Sequence, residues 1–91
     1  MSKVYIIALL ERDIDAIYGE YFSVEGVFSN KVSAKLAFDK KMCEVRDYTM
    51  ERWGAKNTQD SKIGDRYEIW KNHKYDKFHS ILTIEEKEIE K

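Results

Sequence analysis

The chain has 91 residues, a formal charge of −1, 43% hydrophobic and 13% aromatic residues. That length is one domain, residues 1–91, and that aromatic content excludes a disordered chain. The near-zero charge excludes a strong general attraction to nucleic acid or to an anionic membrane.

KVYIIALLE, residues 3–11, is a continuous β-branched and aromatic run, expected as a strand buried on both faces or central in a sheet. It is too short to span a bilayer and lacks a small-residue cleavage site, so no leader is expected. RDIDAIYG, residues 12–19, loses periodicity and reads as a loop. EYFSVEGVFS, residues 20–29, has strand composition, and Gly26 inside it predicts a bulge or a close backbone approach. Ser29 or Asn30 is placed to cap a helix from Lys31 to Trp53, a stretch without glycine or proline, and Gly54 is its expected stop. AKNTQDSKIGD, residues 55–65, reads as a mobile polar loop. RYEIWKN, residues 66–72, alternates Tyr67 and Ile69 against Glu68 and Trp70; HKYD, residues 73–76, turns; residues 77–89 form a last long strand. The expectation is an α+β fold, a small antiparallel sheet in ββαββ order packed on one long helix. Its expected core includes Val4, Ile6, Phe28, Phe38, Val45, Ile69 and Ile84.

Val4 to Ile7, the G-V-F-S of residues 26–29, Lys31 with Ala34, and Ile84 to Ile89 resemble a loosely defined group of small phage and bacterial proteins. In that group a strand ending in G-[VI]-[FY]-S enters a helix directly. The chain departs from the pattern in its longer helix and in the strand region 66–72. The resemblance implies a compact α+β fold and a phage origin; it carries no shared activity.

The strand-to-helix junction is the first candidate site, because helix starts can hold phosphate on free N–H groups. It has one glycine where a phosphate loop needs several, so N-capping is the expected role. His73 and His79 bracket a turn with Asp76, too few ligands for zinc and a general acid/base pair only if geometry brings them together. Glu11, Asp13 and Asp15 alternate without the glycine and distant glutamate of a calcium loop. No catalytic, metal or cofactor motif is read, so no catalytic residue, metal or cofactor is assigned. Residues 66–79 interleave bases with aromatics, and Arg66, Trp70, Lys71, Lys74, Tyr75 and Lys77 could hold single-stranded nucleic acid. Asp65, Glu68 and Asp76 lie among them, and a hairpin with half its aromatics in the core is the plainer expectation.

The helix carries two stripes. Ala34, Ala37, Phe38, Met42, Val45 and Tyr48 fall on one side and are expected to face the sheet. Val32, Leu36, Cys43 and Met50 fall on the other, flanked by Asp39 and Arg46. A second apolar stripe calls for a covering loop or a protein partner. The expected function is therefore a protein-interaction module of the cytoplasm, binding a host protein or a second copy through Val32, Leu36, Asp39, Cys43, Arg46 and Met50. Cys43, the one cysteine, cannot form an intrachain disulfide, which favours a reducing compartment.

Overall fold

A computed structural model describes residues 2–13, 19–71 and 78–89. The elements are β1 (Ser2–Asp13), β2 (Glu20–Phe28), α1 (Lys31–Trp53), a short 3-10 turn (Ala55–Asn57), β3 (Thr58–Ile63), β4 (Arg66–Lys71) and β5 (Phe78–Ile89). The strands form one sheet in the order β2-β1-β5-β4-β3, with every neighbouring pair antiparallel. The fold is α+β, and its order is ββαβββ rather than ββαββ.

The additional strand is β3, in the stretch expected to be a loop. Its sequence, TQDSKI, is polar because it is an edge strand. Gly64 and Asp65 join it to β4 in a two-residue turn. Gly64 has φ 58 and no other type of residue has positive φ among the described residues, which fits glycine at the first central position of a hairpin turn. Asp60 then meets Tyr67, whose hydroxyl donates to its carboxylate at 2.9 Å.

The edges β2 and β3 run parallel, with the other strands between them. Such a connection needs a long crossover, and α1 supplies it. At 1.5 Å per residue its 23 residues reach roughly 34 Å, more than the ~24 Å width of five strands. It contacts every strand on the face it crosses. Asn30 caps its start, accepting from the N–H groups of Val32 (2.7 Å) and Ser33 (3.1 Å). Gly54, φ 87, ends it and donates its N–H to the Met50 carbonyl. Lys41 pairs with Glu25 of β2 at 3.3 Å, Lys62 of β3 with Asp39 at 3.5 Å, and Arg52 with Asp13 of β1 at 3.0 Å. Pairs of this exposed kind contribute about 0–1 kcal/mol each; the apolar layer beneath holds the helix.

That layer joins Phe38 and Val45 of α1 to Ile7, Leu9, Tyr67, Ile69 and Leu82, with Phe28, Ala37, Met42, Met50 and Ile84 partly buried around it. Thr49 is buried too, its hydroxyl donating to the Val45 carbonyl at 2.7 Å. Phe38, Val45, Ile69, Phe28 and Ile84 thus sit where expected. Val4 and Ile6 do not: Ile7 and Leu9 face the helix, so their even-numbered neighbours face away. Tyr48, expected against the sheet, is 60% exposed.

Gly26 sits at the expected bulge. Ile7 pairs with Gly26 and Ala8 with Val24, leaving Glu25 as the extra residue. A Cβ on Gly26 would lie 2.7 Å from the Phe28 ring, closer than packed carbons approach, so the ring claims that space.

Candidate interaction surface

The helix covers one face of the sheet. The strand registers define what the other carries. One row across it reads Val24, Ala8, Thr83, Arg66, Ile63, and the next reads Phe22, Leu10, Ile81, Glu68, Ser61. Outside these lie Val27, Ile6 and Glu85 on one side and Glu20, Arg12, His79 and Trp70 on the other. The face is apolar over β2 and β1 and the adjoining part of β5, and charged toward β4 and along its margin.

Among the described residues no element packs on this face. Phe22 is 64% exposed, Val24 53% and Val27 60%. Ile6, Leu10 and Ile81 beside them are half-buried by their neighbours. Together these six side chains form one apolar block. The bulge makes it contiguous. Val24 and Val27 are an odd number of residues apart and would point to opposite faces of a regular strand; the extra residue Glu25 returns Val27 to the side of Phe22 and Val24.

The charged part is pre-paired. Arg66 contacts Glu68 at 3.2 Å, and His79 Nε2 lies 3.1 Å from the same carboxylate. These contacts, the Arg66 hydrogen bond above all, hold the Glu68 carboxyl below its ordinary pKa. Arg12 and Glu20 pair at 3.1 Å with both side chains largely in solvent.

The helix stripe divides. Val32 and Leu36 are each 68% exposed, Cys43 is half-buried, and Met50 packs against the core cluster. Asp39 is held by Lys62, and Arg46 by its neighbour Asp47 at 3.4 Å. The outward apolar part is therefore the first turns only; its other end belongs to the interior.

The basic and aromatic stretch also divides. Arg66 and Trp70 lie on the open face, whereas Lys71 is on the helix face with its amine 4.3 Å from the Trp53 ring. Lys74, Tyr75 and Lys77, like His73, Asp76 and Asp15, lie outside the described residues. At the strand-to-helix junction, Asn30 occupies the donors that an anion would use.

A cavity of about 230 Å³ between α1 and the sheet is lined by Leu9, Glu11, Lys41, Tyr48 and Ser80, among others. Burial raises the Glu11 pKa; Lys41 opposes the shift and Glu25 adds to it. The Ser80 hydroxyl is buried without a hydrogen-bond partner among the described residues. No three potential metal ligands gather among those residues. None of their helices is long and apolar enough to cross a membrane.

Phe22, Val24 and Val27 are what sequence reasoning missed. The alternation of Phe22 and Val24 with Ser23 was legible, but the sequence has apolar residues in both phases of β1 and β2 and does not say which phase the helix covers. No protein-family model, no curated protein and no solved structure matches this chain.

Proposed function

We propose that this chain is a non-enzymatic protein-interaction module working through the open face of its sheet. The supporting observation is the block of Phe22, Val24 and Val27, exposed together beside Ile6, Leu10 and Ile81 and bordered by paired charges. An apolar centre with a polar rim is the anatomy of protein interfaces. Binding would bury the centre and leave the Arg12–Glu20 and Arg66–Glu68 pairs at the border. Action on a host protein in the cytoplasm is the form of this reading that the likeness of the G-V-F-S junction to phage proteins favours.

Affinity capture from a bacterial lysate tests it, using wild type, Phe22→Glu and Leu36→Asp. A protein retained by wild type and by Leu36→Asp but not by Phe22→Glu, and then bound by the purified chain, is the expected result. Retention lost only with Leu36→Asp moves the surface to the helix. No retained protein, together with a chain that does not self-associate, overturns the reading.

A further inference from the structure

We infer that the occupant of the open face is a second copy of this chain, packed sheet to sheet across a two-fold axis. This rests on the reading of that face as an interaction surface. It follows from the order of residues in the two middle rows. Place a two-fold axis in the plane of the interface, across the strands and between those rows. The rotation then exchanges them strand by strand. Val24 falls opposite Phe22 of the other copy, Ala8 opposite Leu10, and Thr83 opposite Ile81. On β4, Arg66 falls opposite Glu68. In the outer rows on β5, Glu85 falls opposite His79. All these positions come from the strand registers.

In the two middle rows, apolar positions meet apolar ones over β2 and β1, and opposite charges meet over β4. A two-fold contact uses each of these pairings twice. The least matched positions are Val27 opposite Glu20 and Ile6 opposite Arg12. There the charges are already paired within one copy at 3.1 Å, and their alkyl stems can cover the apolar neighbour.

Size agrees. Five strands at about 4.8 Å, and about 3.4 Å per residue along them, give the four rows a footprint of roughly 24 by 24 Å. Side-chain relief adds to that area, which brings it near the ~800 Å² per partner of a stable interface. Using one patch alone, such as β2, would fall short. Two sheets with the same twist also pack face to face at about 10 Å, with strands about 30° apart. A second copy supplies that matching twist by construction. The product would be a four-layer assembly with the helices outside.

Sedimentation equilibrium of the full chain tests the inference. Wild type is expected to be dimeric, and Phe22→Glu to weaken association by on the order of 100-fold or more, since the site occurs twice and each new carboxylate would be set against Val24 of the other copy. Its far-ultraviolet spectrum should be unchanged. Leu36→Asp should remain dimeric. Arg66→Glu should weaken association, and Arg66→Glu with Glu68→Arg should recover it, because the reversed charges still meet across the axis. A wild type that stays monomeric to about 100 µM overturns the second copy; if lysate capture still depends on Phe22, the interaction surface stands with another occupant. A dimer indifferent to Phe22→Glu, or lost with Leu36→Asp, also overturns it. So does a double reversal that associates no better than Arg66→Glu alone.

Discussion

Phe38 and Phe22 are the same residue on opposite sides of one sheet, and replacing each by alanine separates packing from display. Phe38 is 2% exposed, in the cluster formed by Ile7, Leu9, Val45, Tyr67, Ile69 and Leu82. Phe38→Ala removes the ring from the apolar layer between helix and sheet. The lost transfer free energy and the cavity left behind should together cost about 3–5 kcal/mol. A domain of this size has on the order of 5–14 kcal/mol in total. With a urea slope of roughly 1 kcal/mol per molar, the midpoint should fall by about 3–5 M, or the variant should be partly unfolded in buffer. Phe22 is 64% exposed. Phe22→Ala should change the stability of the monomer by no more than about 0.5 kcal/mol. Urea unfolding followed by far-ultraviolet dichroism, at several protein concentrations, measures both. If the face self-associates, the Phe22→Ala deficit grows with concentration because dimerisation stabilises only the folded chain, whereas the Phe38→Ala deficit persists at the lowest concentration. A loss below about 1 kcal/mol for Phe38→Ala would refute the assignment of the two faces.

Asn30→Ala should lower stability by about 1 kcal/mol through loss of the bonds to the Val32 and Ser33 N–H groups, and Asn30→Asp should not, since a carboxylate caps as well and favours the helix N-terminus; urea midpoints compare them. The raised Glu11 pKa has a definite sign: the folded chain holds that proton more tightly than the unfolded one. Its contribution is therefore most favourable below the ordinary glutamate value of 4.5 and declines as pH rises through the window up to the folded value. Glu11→Gln should gain on wild type across that rise, and denaturation curves from pH 4 to 7 that stay parallel would refute the assignment.

Local chemistry made several elements legible. The helix limits from Lys31 to Trp53 follow from Asn30, a run of helix formers and Gly54. β1 lies inside the sheet, between β2 and β5, in keeping with its unbroken apolar run, but among the described residues only one of its faces is covered; the bulge follows from Gly26. These are properties of neighbouring residues. By contrast, β3 is too polar to announce itself. It exists because Gly64 turns the chain back along β4 and because Tyr67 and the helix give Asp60 and Lys62 partners from elsewhere. The division of the helix stripe has the same origin: Met50 meets the core whereas Leu36 does not, and sequence spacing treats them alike.

What the sequence by itself determined was the class of the fold, its long helix and the residue types available to a surface. Which of two apolar sheet faces the helix would cover was decided only in the tertiary structure. Both phases of β1 carry large apolar side chains, and one residue of register interchanges them. The crossover from β2 to β3 lays α1 over Ile7 and Leu9, and the extra residue Glu25 carries Val27 to the opposite side with Phe22 and Val24. The candidate surface is the face left over when the helix has taken the other, so it is fixed by contacts between residues far apart in the chain rather than by any local pattern.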